Sequence, residues 1–151
     1  MKEKAIRIAL SEVGYKEDPP NSNLNKYGAW YGKNGTAWCA AFVSWVYFHA
    51  GIKWPKNLET EKGFIWCPTL TIRARKNGWV TLDPEPGDVV LFDWNADGGA
   101  DHVGIFLKWI VKGKTFETIE GNTSPTNQSN GGAVMQRKRA IEQVQHFVKI
   151  L

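Results

Sequence analysis

The sequence predicts an α+β fold in which N-terminal helices pack on a C-terminal antiparallel β-sheet. Three observations carry this: helical apolar spacing up to about Asn77, strand-like runs after Gly78, and one composition throughout 151 residues. Runs of helices followed by runs of strands make α+β rather than alternating α/β. The length suits one domain, and no repeat, low-complexity tract or linker divides the chain, so residues 1–151 are expected to form a single domain.

Ile6, Ala9, Leu10 and Val13 stand at i, i+3, i+4 and i+7, which predicts a helix over 2–13 with Gly14 as its C-cap. Residues 15–35 are rich in Asn, Gly and Pro with interleaved aromatics, and read as an ordered surface loop. Residues 38–50 are apolar nearly all the way round, which predicts a helix buried on most sides and ended by Gly51. Pro68 suits the first turn of a third helix running to about Asn77. A turn over 83–88 then leads into strands at 89–93, 102–109, 115–120, 133–139 and 144–150. Lys112-Gly113-Lys114 makes a hairpin connection, and the whole half reads as an antiparallel meander.

Composition narrows the function classes. Apolar residues are 42%, charged residues 23% and aromatics 13%, including eight Trp, which excludes a disordered polymer. No apolar run reaches the ~20 residues of a membrane span, and no secretory segment follows Met1. Synthesis in the cytosol without a signal peptide or membrane insertion is therefore expected. The net charge of +4 is a modest excess that suits an anionic polymer. Its one cluster, Arg137-Lys138-Arg139, reads as the solvated face of a strand, and no nucleic-acid partner is expected. Two cysteines are too few for a disulfide scaffold or a four-ligand zinc site.

Cys39 opens the apolar helix after a Gly-rich loop. Backbone amides and the positive end of the helix dipole favour a thiolate there, the nucleophilic form of the side chain. Cys67 has no such setting and reads as a buried structural cysteine. A cysteine nucleophile needs a base. His49 lies about three turns further along the same helix, too far to reach it, and His146 is near the C-terminal end and is expected to lack polar company. His102 opens a strand just after a loop and is the candidate base, sharing a proton with Cys39 as a thiolate–imidazolium pair. The next strand ends in Glu120-Gly121-Asn122, and residues two apart on a strand share a face. Either Glu120 or Asn122 can accept the second imidazole N–H and fix the ring.

The order of cysteine, histidine and then Glu/Asn is papain-type, and the motifs around it are specific. Asn25-Lys26-Tyr27-Gly28, Trp30-Tyr31-Gly32 and Trp38-Cys39-Ala40-Ala41-Phe42-Val43-Ser44-Trp45 resemble the nucleophile segment of the CHAP family of cysteine- and histidine-dependent amidohydrolases and peptidases. Pro86-Gly87-Asp88-Val89-Val90-Leu91-Phe92, Asp101-His102-Val103-Gly104-Ile105 and Ile119-Glu120-Gly121-Asn122 resemble its later motifs. The resemblance runs from the first helix to the last strand. It implies a papain-like fold, with Cys39 as nucleophile, His102 as base, and Glu120 and Asn122 as orienting residues.

It also implies the substrate: an amide bond of bacterial peptidoglycan, with N-acetylmuramoyl-L-alanine amidase of a phage endolysin as the first reading. An endopeptidase cutting the stem or cross-bridge is the alternative, and a non-catalytic wall-binding module on the same scaffold is a rival from another class. The chain would act on the cell wall with no wall-binding domain of its own visible, and such a domain would be a separate partner. The Cys39 N–H is the first oxyanion donor. Asn34 is the side-chain amide available for a second, which stays unassigned.

No cofactor is needed for that chemistry. Asp93, Asn95 and Asp97 followed by Gly98 match the first half of a calcium-loop pattern, with Asp101 as a later ligand. Position twelve of an EF-hand would be Gly104, so a full EF-hand is excluded. Some relatives of the family resembled here bind calcium, and an ion would brace the loop carrying His102. An Asx-rich turn is the competing reading. Trp30, Tyr31, Trp38, Trp66 and Trp94 bracket the motifs, as sugar-stacking faces or as packing.

Overall fold

Helix α3 (Cys39–His49) lies at the centre of the molecule because its sequence, CAAFVSWVYFH, is apolar on nearly every side. In the computed structural model, which describes residues 1–151, all but three of its residues are buried. Gly51, at φ +77°, follows it and turns the chain away.

The helix α1 (Lys2–Glu12) meets the core through Ala5 and Ala9, with Ile6 and Ile8 beside them. Leu10 and Val13 are 41% and 42% exposed, so the predicted stripe is rotated on the helix. Small alanines allow close approach to the apolar centre, which the bulkier residues would prevent. Val13 is extended, so the helix ends before Gly14.

A short helix, α2 (Lys26–Tyr31), interrupts the segment expected to be loop. Its sequence signal lies at its ends. Asn25 Oδ1 accepts the Gly28 N–H at 2.8 Å, and Gly32 in the left-handed region closes it. Six residues are too few to display a helical period. The helix α4 (Cys67–Asn77) carries Pro68 in its first turn and ends at left-handed Gly78, as expected.

Six strands follow: β1 (Val80–Thr81), β2 (Val89–Phe92), β3 (His102–Val111), β4 (Thr115–Thr123), β5 (Ala133–Ala140) and β6 (Val144–Val148). Their order in the sheet is β1-β6-β2-β3-β4-β5, with every pair antiparallel. The meander therefore holds from β2 to β5 only, and β6 returns to lie between β1 and β2. All four residues of β2 are buried: its edges pair with β3 and β6, and apolar layers cover both of its faces.

The sheet separates two apolar layers by the alternation of side chains along each strand. Val89, Leu91, Val103, Ile105 and Ile119 join the helical core. Val90, Phe92, Phe106, Phe116 and Phe147 form a second cluster on the far face. The fold is α+β with helices on an antiparallel sheet, as the sequence predicts. No helix is long and apolar enough to cross a membrane.

Candidate active site

Cys39 is the first residue of α3, where the leading N–H groups have no carbonyl acceptor within the helix. The residue before it fixes that start. Trp38 is fully buried, stacks on Tyr27 with centroids 5.4 Å apart, and donates its indole N–H to Glu17 Oε1 at 3.3 Å.

His102 is the first residue of β3 and fully buried. Its Nε2 donates to Glu120 Oε1 at 2.9 Å. Nδ1 is buried with no hydrogen-bond partner, and Cys39 is the group near enough to shift its protonation. The Cys39 sulfur instead makes its polar contact with Cys67 Sγ, 3.8 Å away. Cys67 is the first residue of α4. Its setting therefore resembles that of Cys39, contrary to the expectation of an isolated structural cysteine.

Glu120 reaches His102 by passing over Gly104 of β3, where an added Cβ would stand 2.6 Å from Glu120 Cγ. Both carboxylate oxygens are saturated. Oε1 accepts from His102 Nε2 and from Arg139 Nη2 (2.6 Å), and Oε2 accepts from Arg139 Nε (2.9 Å) and Thr118 Oγ1. Arg139 is 4% exposed, stacks over Trp94 at 4.8 Å and Phe92 at 5.6 Å, and donates from Nη1 to Gln128 Oε1. This corrects the reading of 137–139 as a solvated face. Arg137 is half-buried and donates to the Ser124 carbonyl, which leaves Lys138 exposed. No local sequence signal marks Arg139: a buried Glu needs a charged partner, but the burial of Glu120 shows only in the fold.

Asn122 is not brought to His102. It sits at φ +57° where the β4–β5 register slips between Glu120 and Thr123, and this bulge breaks the expected alternation. Its Oδ1 accepts the Gly132 N–H at 3.1 Å and its Nδ2 donates to Asn130 Oδ1 at 3.1 Å, so it closes the 123–132 loop. At Gly121 a Cβ would meet Phe42 at 2.6 Å, which shows how tightly β4 presses on α3 here.

These contacts set the protonation states. The hydrogen bond from Cys67 does most to lower the Cys39 thiol; burial opposes it, while His102 and the Val103 N–H reinforce it, and the thiol stays well below its ordinary range. The bond to Cys39, with burial, pushes Cys67 well up. Burial alone would lower His102, but the Cys39 and Glu120 charges outweigh it and raise the ring to about 9. Burial likewise would raise Glu120, yet Arg139 and His102 hold it at about 2. The arrangement is a buried thiolate beside an imidazolium whose far side rests on a clamped carboxylate. Chemically it can attack an electrophilic carbon and protonate a leaving group.

The other histidines stay apart. His49 is exposed at the end of α3, and His146, expected to lack polar company, accepts from Arg75 Nε at 2.9 Å. Asn34 Oδ1 accepts from the Asn25 and Gly35 N–H groups, beside α2. Of the five bracketing aromatics, Trp38 and Tyr31 are buried and Trp30 and Trp94 half-buried, all packing, while Trp66 is 63% exposed next to Cys67.

In the loop before His102, ligand oxygens of Asp93, Asp97 and Asp101 lie within 4.8 Å of one another. Asn95 lies in the same loop and is exposed. Backbone amides already reach these carboxylates: Asp97 and Gly98 donate to Asp93, Gly99 to Asp97, and Trp94 to Asp101. The oxygen-rich donor set fits a hard cation, and the loop also closes on its own Asx turns.

Comparison with known proteins gives one family and one fold. The sequence profile of the CHAP domain matches residues 30–122, the span that holds Cys39, His102 and Glu120. No curated protein matches the sequence. Among solved structures, the crystal structure of Ly7917 is similar with a TM-score of 0.53 and 16% identity, covering 99% of this chain and 62% of that one. Ly7917 with the hydrolyzing product of MDP gives 0.52 and 17% with the same coverage. The chain thus spans less than two thirds of those proteins' length, and the likeness is one of fold.

Proposed function

The chain belongs to the CHAP-domain family, and from that premise we propose that it is a peptidoglycan hydrolase that cuts an amide bond through Cys39. The observation that carries this is the linked set at the start of α3: a thiolate, an imidazole with one nitrogen unpartnered beside it, and Glu120 holding the other nitrogen.

The Cys39 thiolate attacks the amide carbonyl carbon, forming an S–C bond as the carbonyl electrons move to oxygen. The Cys39 N–H, free at the helix start, donates to that oxyanion. As the intermediate collapses, the C–N bond breaks and His102 gives its Nδ1 proton to the departing amine. A water molecule then attacks the thioester, with neutral His102 as base, and releases the acid and the thiolate. Glu120 stays ionised throughout, and its bond to Nε2 holds the ring with Nδ1 towards the reacting atoms. Asn122 acts on this site only by fixing the loop behind Glu120.

Within this reading we favour an N-acetylmuramoyl-L-alanine amidase over an endopeptidase. That bond alone among peptidoglycan amides carries a sugar on its carbonyl side. Exposed Trp66, one residue from Cys67, supplies an aromatic face on which such a ring can stack. A protein of this fold occurs with the hydrolyzing product of MDP, which further supports the choice. The net charge of +4 suits adsorption to an anionic wall, the setting of a phage endolysin. A calcium ion would be held by Asp93, Asn95, Asp97 and Asp101; it would brace the loop leading to His102 and take no part in the chemistry.

Mass spectrometry of fragments released from purified peptidoglycan by the wild type and by Cys39→Ala tests the proposal. Stem peptides with a new L-Ala amino terminus, absent with the variant, are the expected result. Cut cross-bridges would replace the amidase by the endopeptidase. No release from several wall chemotypes would overturn the enzyme reading in favour of a wall-binding module.

A further inference from the structure

We propose that Cys39 and Cys67 form a redox-active dithiol, in which a peroxide oxidises Cys39 and Cys67 captures the product as a reversible disulfide that switches the site off. The inference rests on the reading of Cys39 as the nucleophile and concerns what happens to that sulfur when no substrate is bound.

The chain has two cysteines in 151 residues, far apart in sequence. The fold brings both to helix N-termini and sets their sulfurs 3.8 Å apart. Bond formation at ~2.05 Å asks the sulfurs to close by roughly 1.8 Å. Cys67 makes no other hydrogen bond, and for packing alone an alanine or valine would serve. In the resting geometry the Cys39 sulfur turns to Cys67, while His102 Nδ1 is left buried and unpartnered.

Roles follow from acidity and access. Cys39 is held as the thiolate and Cys67 as the thiol, so Cys39 is the sulfur that reacts first. The two are 5% and 7% exposed, an opening that suits a small oxidant better than a large one.

The oxidant is hydrogen peroxide or an alkyl hydroperoxide. Cys39 thiolate attacks one peroxide oxygen, the O–O bond breaks, and sulfur loses two electrons to become the sulfenic acid. The expelled hydroxide (or alkoxide) takes the His102 proton and leaves as water or alcohol. Cys67 sulfur then attacks the Cys39 sulfur, the S–O bond breaks, and the hydroxyl leaves with the Cys67 proton as water. Two thiols and one peroxide thus yield one disulfide and two waters, or one water and one alcohol. A dithiol reductant reverses the step by exchange. Without Cys67 the sulfenic acid would proceed to the irreversible sulfinic acid.

The test treats the reduced full chain with a few equivalents of hydrogen peroxide. Intact mass, thiol alkylation and peptide mapping are read alongside peptidoglycan release. The wild type is expected to lose two hydrogens, show a Cys39–Cys67 cross-linked peptide, lose activity, and regain it with dithiothreitol. In Cys67→Ser, and in Cys67→Ala as a second variant, Cys39 should gain two oxygens and recover less than roughly a tenth of activity. Wild type that forms Cys39 sulfinate with Cys67 still alkylatable would overturn the proposal. The mass readout needs no turnover and no variant that folds. A protein that forms the disulfide but cuts no peptidoglycan would overturn the hydrolase reading alone, and one that cuts but never cross-links would overturn this inference alone.

Discussion

Arg139 and Glu120 are joined by two parallel hydrogen bonds, Nε to Oε2 at 2.9 Å and Nη2 to Oε1 at 2.6 Å, with neither residue more than 4% exposed. Oε1 is also the oxygen that His102 uses, so β5 acts on the histidine of β3 through the carboxylate of β4. The guanidinium fork is the only side chain that can donate to both oxygens in this geometry while stacking on Trp94 and Phe92.

Arg139 is therefore a positioning residue, and its loss should be felt in stability and in titration. Arg139→Ala leaves a buried carboxylate without its main counter-charge, at a cost of about 3–5 kcal/mol. For a chain this long that lowers the melting temperature by on the order of 10 °C. Arg139→Lys keeps the charge but not the fork. It should fold, lower kcat with little change in KM, and raise the acid limb of the pH–rate profile as Glu120 protonates more readily. An unchanged acid limb in Arg139→Lys would reduce Arg139 to packing.

The pH response has two edges. His102 is raised from 6.5 to about 9, so folding stabilises its protonated form. That contribution is complete below 6.5 and is lost as pH rises through about 9. Glu120 is lowered from 4.5 to about 2, so its contribution is complete above 4.5 and is lost as pH falls through about 2. Melting temperature measured across pH should be highest between 4.5 and 6.5. The alkaline limb of activity should fall near pH 9 as the imidazolium loses its proton. In Cys39→Ala the His102 titration followed by NMR should move down, because the thiolate that raises it is gone.

Gly104 offers a cleaner disturbance of the same chain of contacts. A methyl group there meets Glu120 Cγ at 2.6 Å, so Gly104→Ala must move the carboxylate off His102. Misplacement on the order of 1 Å can cost roughly 10²-fold in rate. Far-UV circular dichroism should stay native while activity falls by about that factor; activity within twofold of wild type would show that Glu120 does not need its path over Gly104.

What the sequence made legible depends on how local each signal was. Helix α3 announced itself by eleven residues of apolar sequence, and Cys39 and His102 stood out by their positions at the ends of elements. The strand runs 102–109 and 115–120 flank the hairpin turn Lys112-Gly113-Lys114, so their pairing, and with it Glu120 beside His102, could be inferred. Arg139 could not, because β4 and β5 are linked by residues 124–132 and no turn fixes their register. Asn122 misled for a related reason, since a bulge reverses alternation without leaving a mark in a residue pattern. Cys67 is separated from Cys39 by 28 positions, and only the fold, which brings the first residues of α3 and α4 together, reveals the contact.

The acidic loop before His102 separates two physical accounts that predict different responses. If the backbone donors to buried Asp93 and exposed Asp97 and Asp101 suffice to offset their repulsion, the loop needs no ion. If three carboxylates within 4.8 Å need neutralising, a hard cation should stabilise the fold. We expect the second. Calcium should raise the melting temperature by a few degrees, on the order of 1–2 kcal/mol at saturating ion, and EDTA should reverse it. Asp97→Ala should abolish the response while Cys39 alkylation stays at the wild-type rate, because the ion braces the loop without touching the sulfur. A melting temperature indifferent to calcium, EDTA and Asp97→Ala would assign the loop to its amides alone.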